Sequence, residues 1–196
     1  GFGDSSVRIL GLAIISVLAL CLGGSGAEAS TSIVGTERVI RYTVNRAATE
    51  DTLRAIADGL HLWEAAVGLR FVYVGAGPAA VRRDDINSIA FVTSWPEELP
   101  SKLAWCERWY GQDGRVVEAD ILLNMELARF TTAESGTRDA YFIESVIAHE
   151  AGHLIGLDHS DDPDSVMHPG LSCCRAAPPN AIDSESVELA RQIWGW

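Results

Sequence analysis

Apolar and polar positions alternate through Arg38-Val39-Ile40-Arg41-Tyr42-Thr43-Val44, and alternation rich in β-branched and aromatic residues predicts a first strand. The period then changes. Leu53, Ile56, Leu60, Trp63 and Val67 recur at helical spacing, which places them on one face of a helix capped by Asn45 or Thr49 and closing near Gly68. Trp63 belongs to the buried face and His61 to the exposed one. Leu69-Arg70-Phe71-Val72 reads as a second strand, followed by a turn at Gly75-Ala76-Gly77-Pro78. Residues 85–93 predict a third strand, Leu103-Ala104-Trp105-Cys106 a short fourth, and residues 119–124 a fifth, with Gly111-Gln112-Asp113-Gly114 as the turn before it. A long helix starts at Thr137 or Asp139 and carries Phe142, Ile143, Val146 and Ile147 inward. Residues 171–180 are Pro- and Cys-containing loop, and Asp183 caps a last helix that ends Ile193-Trp194-Gly195. There is no internal repeat, and 196 residues suffice for one domain with a sizeable core.

The second long helix also carries chemistry. His149-Glu150-Ala151-Gly152-His153-Leu154-Ile155-Gly156-Leu157-Asp158-His159 reads H-E-x-x-H-x-x-G-x-x-H, with Met167 eight residues beyond the last histidine. Residues four apart share a helix face, so His149 and His153 present two imidazoles to one metal ion. Gly156 tolerates a positive φ, so it can end the helix and turn the chain back to deliver His159 as a third ligand. Three nitrogens on zinc leave the fourth position open, which marks a catalytic site. Glu150 is not needed as a ligand and suits a general base acting on a zinc-bound water. At about one in twenty per fixed position, a chance match anywhere in the chain is on the order of one in ten thousand. The bland alternatives are histidines that satisfy core polar groups, or a closed structural zinc, which would want a fourth side chain.

The run from His149 to Ser160, with Ser165-Val166-Met167-His168-Pro169 after it, resembles the metzincin metalloproteases and, within them, the matrixin group. Matrixins carry a serine directly after the third histidine, as Ser160 stands here, and a methionine turn of the form x-x-M-x-P. Astacin-like relatives usually have Glu after the third histidine, and snapalysin-type enzymes use Asp as third ligand. The resemblance covers roughly residues 38–195 and is tightest over 149–169. It implies an α+β, zincin-like fold: a twisted, five-stranded, mostly parallel sheet with two long helices, then a small C-terminal subdomain ending in a helix. It also implies that the short fourth strand is the sheet edge above the zinc. Leu103, Ala104 and Trp105 would then line the substrate cleft, Pro169 and Leu171 would wall the pocket after the scissile bond, and Met167 would floor the metal site.

One departure from the group bears on metals. Matrixins bind a second, structural zinc through histidines between the third and fifth strands, whereas this chain has no histidine between His61 and His149. One zinc is therefore expected. Calcium is an alternative occupant of that region through Asp84, Asp85, Asp113, Glu118 and Asp120. Those residues serve equally well as solvated loop charges, as do Asp161, Asp162 and Asp164.

Charge and leader composition set the compartment. With 15 Lys and Arg against 27 Asp and Glu, the net charge is −12. So acidic a surface argues against nucleic acid and anionic membranes as partners. The apolar run from Ile9 to Leu22 follows Arg8 and precedes Ala27-Glu28-Ala29, which predicts a secretory signal over 1–29 and a catalytic domain over 30–196. Fourteen apolar residues are too few for a comfortable membrane span. Leu18-Ala19-Leu20-Cys21 resembles a bacterial lipobox, with Leu20 where a small residue belongs, so a lipoprotein through Cys21 is the minor alternative. Cys106, Cys173 and Cys174 remain after cleavage, and either Cys106 pairs with one of the other two or those two pair with each other.

The chain is thus expected to be a secreted, monomeric zinc endopeptidase acting on protein or peptide substrates, with Glu150 as base. A rival is a zinc-holding, metzincin-like module that captures peptides without turnover. Another is an enzyme acting on a non-peptide amide or ester.

Overall fold

The computed structural model describes residues 31–34, 37–45, 48–132, 139–170 and 182–195. β1 (Thr31–Val34) runs antiparallel to β2 (Glu37–Asn45). α1 (Glu50–Val67) follows, with the Thr49 side chain accepting the Thr52 N–H at its start and Gly68 closing it in the left-handed region. β3 (Leu69–Gly77) and β4 (Asn87–Val92) both pair in parallel with β2. β5 (Ala104–Tyr110) and β6 (Val116–Asn124) pair antiparallel, and β6 joins β4 in parallel. β7 (Arg129–Thr131) and β8 (Ala140–Phe142) form a small parallel pair before α2 (Ile143–Leu154), and α3 (Ser184–Trp194) ends the described chain.

This is the expected α+β architecture, with β1 as a sixth strand beside the five. The sheet order is β1-β2-β4-β6-β5, with β3 also on β2. Three boundaries differ from expectation. The turn at Gly75–Gly77 is strand: Val44 pairs with Ala76 and Asn45 with Gly77 after a register shift past Tyr42. Gly75 sits in that bulge at φ +123°, a conformation glycine adopts without Cβ strain. The fourth strand is longer, because Glu107, Arg108, Trp109 and Tyr110 continue the ladder on β6, and charged residues are at home on an edge strand. The helix expected from Thr137 or Asp139 starts at Ile143. Residues 140–142 are taken by the pairing of Phe130 with Tyr141, and Thr137 lies outside the described residues.

Alternation along β6 organises two layers. Ala119, Ile121 and Leu123 face the helices and pack with Ile56, Leu60 and Trp63 of α1 and Val146, Ile147 and Ala151 of α2. Leu122 faces the other way, with Ala90 and Val92, under Val81, Trp95 and Leu99 of the loops flanking β4. On that second face two of the carboxylates suggested for calcium, Glu118 and Asp120, hold backbone. Glu118, 1% exposed, accepts the N–H of Asp84 through Oε1 and of Asp85 through Oε2, both at 2.8 Å. Asp120 accepts the N–H of Arg82 at 2.9 Å and both the N–H and hydroxyl of Ser88, at 3.0 and 2.6 Å. Asp113 takes the Arg115 N–H in its own turn. Two buried side chains thus tie the loop before β4 to the centre of the sheet. Glu118→Ala would strand two N–H groups at about 1–3 kcal/mol each, and we expect denaturant unfolding to show a loss of about 2–4 kcal/mol. Unchanged stability would mean that the loop does not depend on the clamp.

Candidate metal centre

α2 runs under the sheet edge and buries one whole side, including His149 and Glu150. It ends in a tight double closure: Gly156 N–H bonds to His153 O at 2.9 Å and Leu157 N–H to Gly152 O at 2.9 Å. That pattern needs a left-handed residue just past the helix, and Gly156 supplies it at φ +107°. The chain reverses there, and the loop is tied at its far end by Ser160 N–H to Met167 O at 3.0 Å.

The reversal brings His159 to the two helical imidazoles. Ring centroids of the three lie 4.7, 4.9 and 5.3 Å apart, and one nitrogen from each falls within 4.8 Å of the others. His149 Nδ1 meets Val166 O at 2.8 Å and His153 Nδ1 meets Leu157 O at 2.8 Å. A carbonyl can only accept, so each Nδ1 carries the proton and each Nε2 lone pair points inward. His153 Nε2 and His159 Nε2 stand 3.2 Å apart. Two nitrogens each about 2.0–2.1 Å from a tetrahedral zinc would be separated by roughly 3.3 Å, so the donor set fits that ion. Burial lowers His149 and His159 and pushes His153 down to about 4, which keeps the imidazoles neutral, as ligands must be. Among the described residues this is the one group of three or more metal-capable side chains.

Glu150 lies beside the triad, 5% exposed. Burial pushes its carboxyl up to about 8, with the Arg108 guanidinium pulling the other way. The triad and Glu150 open into a cleft of about 760 Å³ along the free side of β5, lined by Leu103, Ala104, Trp105, Tyr141, Pro169 and Gly170 among others. Trp105 shares the upper face of β5 with its partner Leu122, and its indole N–H donates to Glu107 Oε2 at 2.8 Å. Cys106, whose thiol burial pushes well up, is a free thiol among the described residues. Leu171, Cys173, Cys174, Cys21 and the rest of residues 1–29 lie outside the described residues.

Met167 is 1% exposed and packs in the core against Gly152 of α2. Its turn is held by residues that sequence spacing does not mark. Ser165 Oγ accepts the Met167 N–H at 3.1 Å and donates to Asp183 Oδ2 at 2.6 Å, and Asp183 also accepts from Ser186 at the start of α3. Asp183 is legible as a helix cap, but its second oxygen on the methionine turn is not. Arg108 is also unmarked: Nη1 donates to Leu157 O at 3.0 Å and Nη2 to Asp158 Oδ1 at 2.9 Å. On the helix side, Trp63 donates its indole N–H to Ala148 O at 2.7 Å, directly before the first histidine.

Gly152 completes the packing. A Cβ there would collide with Met167 Sδ and come within 3.0 Å of the Trp63 ring. With both neighbours buried there is little slack, and Gly152→Ala should cost about 1–3 kcal/mol by overpacking. Thermal unfolding checks this, and an unchanged midpoint would show that Met167 has room to move.

The family model described as Matrixin matches residues 34–195. The chain is similar to human neutrophil collagenase, 29% identical over 82% of this chain and 32% of that protein. It is also similar to human matrix metalloproteinase-20, 30% identical over 68% of this chain and 26% of the relative. Metalloendoproteinase 1 of Glycine max is 32% identical over 32% of this chain and 20% of its own length. The chain thus spans a third or less of the length of these relatives.

Proposed function

This chain belongs to the matrixin family, and from that premise we propose that it is a secreted zinc-dependent endopeptidase with Glu150 as its general base. The observation that carries this is the convergence of three imidazoles, two of them with Nδ1 on a carbonyl and the Nε2 lone pair inward, beside a buried carboxyl in a cleft that runs along a sheet edge. His149, His153 and His159 would hold the zinc, which when bound lowers the pKa of a water to about 7 and polarises a carbonyl. Glu150 takes a proton from the attacking water and passes it to the leaving amine. The unpaired N–H and C=O groups of β5 receive an extended peptide as an added strand, with Leu103, Ala104 and the Trp105 backbone along it. Pro169, and Leu171 beyond the described residues, would wall the pocket for the side chain after the scissile bond. Met167 keeps an apolar floor and moves no proton.

Export is supported by the Ile9–Leu22 run and the Ala27-Glu28-Ala29 site. Among the described residues no helix is long and apolar enough to cross a membrane.

Elemental analysis of the purified protein should find one tightly held zinc per chain. A chelator should abolish cleavage of a quenched peptide library and lower the thermal midpoint, because metal binding and folding are coupled. Two tight zincs would show that a second site is built without histidines. Zinc and peptide binding with no cleavage of a broad library would replace the enzyme with a peptide-capturing module.

A further inference from the structure

Arg108 joins the cleft strand to the loop that carries His159. It lies on the same face of β5 as Ala104 and Cys106, opposite Ala119 of β6. Its guanidinium sits 5.7 Å from the centre of the Tyr110 ring and extends two donors to consecutive residues, Leu157 O at 3.0 Å and Asp158 Oδ1 at 2.9 Å. The Asp158 side chain is 87% exposed, and an exposed ion pair alone is worth little. The bond to the carbonyl is the informative one. Leu157 O is also the acceptor for His153 Nδ1, so its two lone pairs are shared between the guanidinium and the imidazole. Holding that oxygen fixes which nitrogen of His153 faces the triad. Holding Asp158 fixes the residue directly before His159.

We infer that Arg108 is a positioning residue for the metal centre, orienting His153 through the Leu157 carbonyl and His159 through Asp158. The assignment rests on the zinc function proposed above. Groups bonded directly to a metal's ligands commonly change its affinity by about 10–100-fold when removed. Arg108 acts on His153 one bond further out, through the Leu157 carbonyl, which places the expected effect at the lower end. Arginine suits the task because its planar fork meets two acceptors at once, whereas a lysine ammonium is a compact point charge on a flexible stem.

The test compares the full chain with Arg108→Met and Arg108→Lys. Zinc affinity is measured by competition with a chromophoric chelator, and thermal midpoints are taken on chelator-treated protein. Arg108→Met should hold zinc roughly 10-fold more weakly, with the midpoint of the chelator-treated protein close to that of the parent. Arg108→Lys should recover part of the affinity. Asp158→Asn, which keeps an acceptor oxygen and the Leu157 bond, should change it least. Parent-level zinc affinity in Arg108→Met, or full recovery in Arg108→Lys, overturns the assignment. An equal fall of the chelator-treated midpoint and the affinity also overturns it, because Arg108 would then be a general structural residue. If Arg108→Met fails to fold, Arg108→Lys decides by the same criterion. A parent that binds no zinc would refute the zinc function first and this assignment with it.

Discussion

Glu150→Ala should leave the protein folded and loaded with zinc while its turnover on peptides falls by several orders of magnitude. The side chain lies against the triad without belonging to it, so its removal deletes no ligand. Nor should the fold suffer much. A carboxyl 5% exposed whose burial pushes its pKa up to about 8 is an expensive group to keep inside, and its loss relieves that cost while opening a small gap. General-base catalysis alone is typically worth ~10²–10⁴-fold, and a residue that also carries the proton to the leaving amine should account for more. The measurement pairs zinc stoichiometry with kcat and KM on one peptide. Loss confined to kcat, with zinc retained, supports the assignment. Cleavage at the parent rate would remove Glu150 from the mechanism.

The parts of this molecule that were readable in the sequence are those held by local periodicity. His149 and His153 share a face because α-helices repeat every 3.6 residues, and Gly156 is marked because a helix that closes on itself needs a left-handed residue there. The two-residue alternation of β2 and the helical spacing of α1 are visible for the same reason, as is the Thr49 cap. What escapes depends on pairing across the sheet or between distant loops. Gly75–Gly77 looks like a turn until β2 lies beside it, since glycines mark bulges and turns alike. Arg108 lies beyond the short fourth strand expected at 103–106, and its partner is Leu157, forty-nine positions away. Glu118 and Asp120 look like acidic loop chemistry, but the loop before β4 folds back and spends their oxygens on backbone N–H groups. Charge on a strand says that a partner is needed without saying whether it is water, a metal or an amide. Only the third dimension separates those three.

His159→Ala should produce the opposite signature from Glu150→Ala: zinc lost along with rate, and the fold untouched. His149 is buried and its Nδ1 is anchored on Val166 O, so its removal would damage packing as well as ligation. His159 is exposed at the end of the reversed loop, whose course is set by Gly152, His153, Arg108 and Met167 rather than by its own ring. Deleting that ring takes one of three nitrogens from the metal and leaves the scaffold standing. Complete structural zinc sites contribute about 10–16 kcal/mol over four ligands, so one ligand is worth roughly 3–4 kcal/mol, or on the order of 10²–10³-fold in affinity. Chelator competition should therefore show zinc released at far lower chelator concentration than for the parent, while the circular dichroism spectrum and the midpoint of the chelator-treated protein stay near the parent values. Restoring zinc by raising its concentration should recover part of the catalytic rate, because Glu150, β5 and two imidazoles remain in place. Retention of parent-level zinc affinity would mean that His159 is not a ligand.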